Sequence, residues 1–509
     1  VIVVFHHPGL NANFIDVKRD SQPVGRILVF SSNIGLQIEP TDTRESAVLS
    51  LGHKANYTSD MDLSHFNPPG VGDLVGKSVA RLEDDEFLRG ADRFLDDIRI
   101  PGETHAVFVR SEVACAYLDD IDTTTAEAYP GVIAILTGAD LEADGIGGVP
   151  WEVKPVAEKS FAGEAVEQGD PSIARPQPAM PAGKAEYVGQ ILAMVIAETR
   201  NQALDAAEKV VVSFRDLNPV IDVESATSDG APVVDPAFPD NICFRITMGD
   251  KAATAAAFAM AAHVTRIRHV QNRGVGAPIE TRGYIGDWDS ETGKFTLHAT
   301  AGKPHPVRNT LAKFCFFCEP ENIRVVVPRL GGGFGAKNIV YGEEILVLWA
   351  ARKIGAPVRW ISDRTESFIS DVHTRDLVSV AEYAFDNDYR ILAMRVRNLG
   401  NLGAYLGPRA VNPVRNSIKI SPSVYDVPTG YLEACGVLTN TVPTCPIRGA
   451  GEPEGQFTPE RLMDESARQL GVDRFELRRR NLVRANQLPY RTISHLEYDC
   501  GDFAANFER

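Results

Sequence analysis

Residues 323–361 read IRVVVPRLGGGFGAKNIVYGEEILVLWAARKIGAPVRWI, and this stretch constrains the fold more than any other. Ile323 to Val327 is a β-branched run of the kind found in buried strands. Gly331, Gly332, Gly333 and Gly335 surround Phe334, so the backbone is free to turn through positive φ and to approach a ligand closely. A Cβ at Gly333 is expected to block both. A helix is predicted from near Glu343, with Glu343 and Glu344 at its positive end and Arg352 and Lys353 at its negative end. Gly355 and Pro357 stop it. Its middle, Ile345 to Ala351, is apolar on all sides and should be buried. Strand, glycine turn and helix make the layout of an anion cradle. A P-loop would need Gly-Lys-Ser/Thr where Ala336-Lys337-Asn338 stands. A dinucleotide fingerprint would need a third glycine at position 336. A tight structural turn is the remaining reading.

A chain of 509 residues is long enough for several domains. With 52 Lys+Arg against 68 Asp+Glu the net charge is −16, which disfavours nucleic acid and anionic membranes as partners. Arg478-Arg479-Arg480 is the one dense basic run, and it complements a helix C-terminus. Seven cysteines give no disulfide framework and no cluster-binding run. In Cys315-x-x-Cys318, helical spacing from Val307, Leu311 and Phe314 points Cys318 to the core. No apolar run reaches the roughly 20 residues of a membrane span. The start, VIVVFHHPG, lacks the charged segment of a signal peptide. A cytoplasmic location is therefore expected.

Residues 1–75 show little pattern beyond RILVFSSNIGL, which reads as one strand or buried segment. Asn56-Tyr57-Thr58 has the form of a glycosylation acceptor. Further on, Ala106–Val109, Val132–Leu136, Gln190–Glu198 and VVVSF (210–214) read as strands. Thr199 with Gln202 forms a capping box for a helix between the last two. Residues 141–180, rich in Gly, Pro and charge, read as a surface loop. Asp84-Asp85, Asp96-Asp97 and Asp119-Asp120 read as solvated turns rather than acid/base pairs. Residues 220–240 read as a linker. Two hairpins are predicted beyond it, Ile285–Trp288 with Phe295–Ala301 and Leu377–Phe385 with Arg390–Asn398. Thr458, with Pro459 at the first helical position, is expected to cap one closing helix. Asp473 and Glu476 are expected to cap the next.

A second stretch changes the balance. Residues 447–483 read IRGAGEPEGQFTPERLMDESARQLGVDRFELRRRNLV. GGGFGAK followed by IRGAG-x-PE, ERLMDE and ELRRRNL resembles the large, molybdopterin-binding subunit of the xanthine dehydrogenase / aldehyde oxidase / aerobic carbon monoxide dehydrogenase family. The resemblance starts near Gly76, with Asp96-Asp97-Ile-Arg-Ile-Pro-Gly, and runs to Tyr498-Asp-Cys-Gly-Asp-Phe503. It implies a mixed α/β (α+β) fold: an extension of unknown role over 1–75, a small α/β hammerhead-like domain over 76–225, and a first molybdopterin-binding α+β domain over 226–509, with a second such domain missing.

The same resemblance implies oxidative hydroxylation of an aldehyde or N-heterocycle at a molybdenum–pterin centre. The cofactor would be molybdopterin, in its cytosine dinucleotide form, contacted by Gly332, Gly333, Phe334, Gly335, Arg448, Gly449 and Ala450. The metal would be held through the pterin and not by side chains. The glutamate base is expected beyond residue 509, so this stretch alone is expected to be inactive. An iron–sulfur [2Fe–2S] small subunit and an FAD medium subunit are expected partners in a hetero-oligomer. Three departures matter. Gly302 stands where a glutamine is expected, leaving a gap for water or Lys303. Asn338 stands where purine hydroxylases have glutamate. Gly449 stands where carbon monoxide dehydrogenases have a copper-binding cysteine, and Cys445 lies before the arginine instead. A non-catalytic scaffold of the same fold, or a nucleotide-binding protein using residues 331–337, are the rival readings.

Overall fold

The computed structural model describes residues 11–19, 22–31, 76–91, 93–151, 165–168 and 171–509. The chain divides into two compact units, Val1–Leu82 and Glu83–Arg509. In the first, strands Asn11–Arg19 and Gln22–Ser31 form an antiparallel hairpin. The strand expected in RILVFSSNIGL is thus there up to Ser31, with a partner that no sequence signal announced. The acceptor at Asn56 lies outside the described residues, as does the N-terminal VIVVFHHPG.

The second unit is built on two large sheets. The first has seven strands in the order Ile323–Val326, Lys294–Ala299, Gly283–Asp289, Val358–Ile361, Thr104–Arg110, Ile191–Ala197, Val132–Thr137. Val358 pairs in parallel with Thr104, so one sheet takes strands from both sides of residue 225. Helix Gly342–Ile354 lies on it, with every residue from Ile345 to Ala351 buried. Complete burial of a Leu, Ile or Val side chain is worth about 1.5–3 kcal/mol. The helix comes so close that a Cβ on Gly286 would stand 2.4 Å from the Val347 carbonyl oxygen. The second sheet has six strands, ordered His263–Gln271, Leu377–Phe385, Ile391–Gly403, Gly430–Leu438, Ile242–Gly249, Ala165–Gln168. Val414 and Ile418 of helix Val411–Lys419 join its core, with Leu462, Met463 and Ala467 of helix Glu452–Leu470.

Several local expectations change. Strand Val211–Asp216 enters a separate three-stranded sheet rather than returning beside Ile191–Ala197. Residues 141–180 are not all surface loop: Ala165–Gln168 adds to the six-stranded sheet, and Ala174, Ala179 and Met180 are buried. Asp119-Asp120 lies in strand Ala116–Asp122, and Asp84-Asp85 opens helix Asp84–Arg89. Thr458 does not cap a helix. The helix begins at Glu452 and runs through Pro459, because burial of Gly455, Thr458, Pro459 and Leu462 outweighs the bond lost at the proline. Asp473 does cap Arg474–Asn481, accepting from the N–H groups of Phe475 and Glu476. Arg478, Arg479 and Arg480 are all ion-paired, with Glu460, Asp464, Glu476 and Glu508. Cys315, not Cys318, reaches the core, because the helix from Pro304 widens into a π-turn at Leu311–Phe316 and shifts the phase.

Glu344 is buried in the first turn of helix Gly342–Ile354 and accepts from the Tyr341 N–H at 3.2 Å. Burial pushes its carboxyl up to about 8, against the pull of that hydrogen bond and of Arg282. The folded chain therefore holds an extra proton from the ordinary value of 4.5 up to about 8, and stability falls as pH rises through that window. Glu344→Gln should flatten the fall in thermal midpoint between pH 5 and pH 8, read by scanning fluorimetry. Equal slopes for the two proteins would show that Glu344 is ionised in the fold.

Candidate functional site

The glycine turn is held from behind by Glu280. Its Oε2 accepts from the Gly331 N–H at 2.7 Å and lies 3.2 Å from Lys337 Nζ, which also donates to the Glu280 carbonyl at 2.7 Å. Both ends of the turn are thereby tied to one residue. The Lys337 ammonium is buried, and burial lowers its pKa despite the Glu280 charge. It faces inward, so it does not serve an anion as a P-loop lysine does. The helix N-terminus beyond is also taken: Glu343 pairs there with Arg110 and Arg282. Burial opposes ionisation of Glu343, but those two guanidinium groups hold its carboxyl down at about 2. The anion-cradle and nucleotide-binding readings lose their physical basis.

Positive φ falls at Gly332 (103°), Phe334 (50°) and Gly335 (107°), and not at Gly333. The expectation that a Cβ on Gly333 blocks the turn is therefore corrected: its nearest neighbours would be Leu330 Cδ2 at 3.5 Å and Lys337 Cβ at 3.7 Å, ordinary contacts. On Gly335 a Cβ would stand 2.8 Å from the Pro446 carbonyl oxygen. The turn is pressed there against the second motif.

That motif bends sharply, with Gly449 at φ 94°, Ala450 at 45° and Gly451 at 96°. The Arg448 N–H donates to the Phe334 carbonyl at 2.7 Å, joining the two motifs backbone to backbone. The Arg448 guanidinium lies over the Phe334 ring, 5.1 Å from its centroid. The loop is fixed from outside by Asn416, which donates to the Ala450 carbonyl at 2.9 Å, and by Arg375, which donates to the Arg448 carbonyl at 3.1 Å. Arg375 is held in turn by Glu454 at 2.7 Å.

Between turn and loop lies a cavity of about 460 Å³. Phe334, Gly335, Arg448, Gly449 and Ala450 line it; Gly332 and Gly333 do not. Lys303, Asn338, Ile339, Arg409, Pro446 and Ile447 complete the wall. Sequence reasoning missed Arg409, Glu280, Arg375 and Asn416 because each lies on a distant segment with no motif around it. The gap expected beside Gly302 is not there. A Cβ on Gly302 would stand 2.1 Å from Asn338 Oδ1, so the Asn338 amide, and neither water nor Lys303, fills that place. Cys445 is buried outside the cavity, and burial pushes its thiol far up. Among the described residues no cluster of side chains is arranged to hold a metal ion, and no helix is long and apolar enough to cross a membrane.

The cavity fits a bound group whose metal end needs hydrogen-bond donors. Phe334, Gly335 and Gly449 line it, and among the described residues their backbone N–H groups have no backbone acceptor.

Family models for the aldehyde oxidase and xanthine dehydrogenase a/b hammerhead domain and for the molybdopterin cofactor-binding domain match residues 89–218 and 234–482. The chain is 33% identical over 449 residues to the nicotine 6-hydroxylase large subunit of Paenarthrobacter nicotinovorans, covering 87% of this chain and 52% of that protein. It is 32% identical over 442 residues to the carbon monoxide dehydrogenase large chain of Hydrogenophaga pseudoflava, covering 83% and 52%. The crystal structure of quinoline 2-oxidoreductase from Pseudomonas putida 86 superposes with a TM-score of 0.77 at 32% identity, covering 85% of this chain and 53% of that one. The chain spans about half the length of the curated relatives it matches.

Gly335→Ala should destabilise the chain by about 1–3 kcal/mol, since it meets both a positive φ and a carbonyl. Gly333→Ala should change the thermal midpoint little. The reverse order would show that the turn has a different backbone.

Proposed function

The chain belongs to the xanthine dehydrogenase / aldehyde oxidase / carbon monoxide dehydrogenase large-subunit family, and from that premise we propose that it binds the metal end of a molybdopterin cofactor between its two motifs and acts in the hydroxylation of an N-heterocycle or aldehyde. The observation that carries this reading is the Arg448–Phe334 backbone bond, which brings together around one cavity two motifs more than a hundred residues apart. When bound, the cofactor supplies a Lewis-acidic metal that activates water and accepts electrons. Phe334, Gly335 and Gly449 offer N–H donors to it, while Gly332 and Gly333 shape the turn from behind. Arg448, Ala450 and the Phe334 ring form the side wall.

The lining contains no carboxylate, histidine or cysteine, so the proton acceptor of the reaction comes from outside these eleven residues. We assign it to a glutamate beyond residue 509. The absence of cysteine from the wall disfavours a copper site. Among N-heterocycles, purines are disfavoured by Asn338 in the wall, and non-purine rings are favoured by the nicotine and quinoline in the names of two relatives. The cytosine dinucleotide form of the cofactor, a [2Fe–2S] subunit and an FAD subunit complete the proposal. The domain division at about residue 225 belongs to it too, with the sheet shared across it. All seven cysteines are free thiols, in keeping with a cytoplasmic setting.

Expressed as the complete protein with cofactor-making machinery, it should carry about one molybdenum and one pterin per chain and co-purify with iron–sulfur and flavin chains. Normally folded protein free of both molybdenum and pterin would establish the scaffold reading instead.

A further inference from the structure

A small cavity stands next to the 446–450 loop and shares none of the residues that line the cofactor cavity. Its polar wall is made by Thr374, Arg375, Asn401, Thr444, Cys445 and Glu454. Two atoms of these residues, Glu454 Oε2 and Thr374 Oγ1, are buried and have no hydrogen-bond partner among the described residues. Glu454 is 2% exposed and Thr374 5%, so bulk water does not satisfy them. Leaving such atoms unpaired is costly enough that native structures rarely do it. The other uncharged polar side chains of the wall are engaged. Thr444 donates to the Asn401 carbonyl at 2.8 Å, and the Asn401 amide donates to Asp376 at 2.9 Å and accepts from Thr439 at 2.7 Å. The cavity leaves about 10 Å³ for the centre of a water molecule, which is room for one.

We infer that one buried water sits in this cavity, donating to Glu454 Oε2 and accepting from the Thr374 hydroxyl, and that through it Thr374 and Glu454 are positioning residues for the 446–450 loop. Charge favours a water over a cation. The Glu454 carboxylate is already matched by Arg375 at 2.7 Å through Oε1, and neighbouring Asp376 is matched by Arg273 at 2.7 Å. The Cys445 thiol in the same wall is a weak further partner. With Oε2 satisfied by the water, Glu454 keeps Oε1 on Arg375 Nη1, while Arg375 Nη2 donates to the Arg448 carbonyl at 3.1 Å. Arg448 is followed by Gly449, Ala450 and Gly451, the three positive-φ residues whose bend brings the loop to the cofactor cavity. Members of a buried polar network hold one another only when all are satisfied, so losing the water loosens the hold on the loop. The hydration site stands on the cavity and its two orphaned atoms. Its effect on the cofactor rests on the functional reading above.

The first measurement is a crystal structure of the complete protein at a resolution that shows ordered water. One peak should lie within about 2.6–3.2 Å of both Glu454 Oε2 and Thr374 Oγ1, and it should be lost in Thr374→Val. A dry cavity, or a Thr374 hydroxyl bonded directly to Glu454, would overturn the inference. So would a peak that exchanges for thallium, which would mark a cation. The second measurement is the rate of pterin release from the purified holoprotein, followed by fluorescence well below the thermal midpoint. Thr374→Val should raise it about fivefold, the effect of one lost hydrogen bond. Thr374→Ser, which keeps the hydroxyl, should restore the parent rate. Ile246→Val, a deletion in the core of the six-stranded sheet, should leave it unchanged. Equal release from the parent and Thr374→Val, or the same acceleration in Ile246→Val, would overturn the positioning role. A water on the two atoms in complete protein that carries no pterin would uphold the hydration site and remove the cofactor reading. A dry cavity in pterin-loaded protein would do the opposite.

Discussion

A buried guanidinium organises the site from a distance. Arg282 is fully enclosed; its Nε donates to Asp371 at 2.6 Å and its Nη2 to Glu343 at 3.0 Å, with the Tyr341 ring 3.8 Å below. Glu343 also accepts from Arg110 at 2.8 Å, and Arg110 reaches Glu366 at 2.8 Å. Burying such charges costs several kcal/mol per ion unless each is paired, and removing one member of a buried pair costs about 3–5 kcal/mol. The network thus has one satisfactory arrangement. It fixes the end of strand Thr104–Arg110, the start of strand Gly283–Asp289, and the first turn of helix Gly342–Ile354 relative to one another. Only seven residues separate the last glycine of the turn, Gly335, from Glu343. With Glu280 holding its other side, the turn has little freedom left.

That rigidity has a consequence at the cavity. Phe334, Arg409 and Ala450 are non-glycine residues at positive φ, and all three line it. Each such conformation costs of order 1 kcal/mol and persists only where the surroundings determine it. Here the surroundings are identifiable. Phe334 is held through its carbonyl by Arg448, and Ala450 through its carbonyl by Asn416. Arg375, at φ 66°, supports the loop through Arg448 while Glu454 holds it in place. Strain collected on one wall and supported by groups outside it is the arrangement expected where backbone must be presented to a ligand.

What the sequence made legible was local. The stops of helix Gly342–Ile354, its buried face, the Thr199 and Asp473 caps and the two hairpins follow from spacing within a few residues. The site motifs were legible through resemblance, but the physical reasons for their form were not. Glu280 lies fifty-one residues from the turn it closes, and nothing around it marks a role. Ala336-Lys337-Asn338 already departed from a P-loop in sequence, but only the fold reveals that Lys337 turns inward to Glu280. Gly333 seemed the strained glycine because it is central in the run, whereas the strain falls on its neighbours. The Cys315–Cys318 stripe failed because a π-turn adds one residue to the helical repeat, which periodicity alone does not register. Pro459 read as a helix start because its burial, decided by the six-stranded sheet, is not a local property.

Gly302 and Asn338 show how two apparent losses can be one substitution in space. Taken separately, a glycine in place of glutamine suggests a weakened site, and an asparagine in place of glutamate suggests only a different substrate. In the fold, the Gly302 N–H donates to the Lys337 carbonyl at 2.8 Å, which brings its Cα beside the next residue, Asn338. A side chain at 302 would collide with the Asn338 amide at 2.1 Å. A side chain at 302 would require the Asn338 amide to swing away from its present place. With glycine at 302, Asn338 brings an uncharged amide to the cavity wall from the other segment. The scaffold reading drew part of its support from an expected gap at Gly302, and the rest from the second cofactor domain expected but missing. An amide occupies that place, so the missing glutamine does not leave an empty gap in the wall.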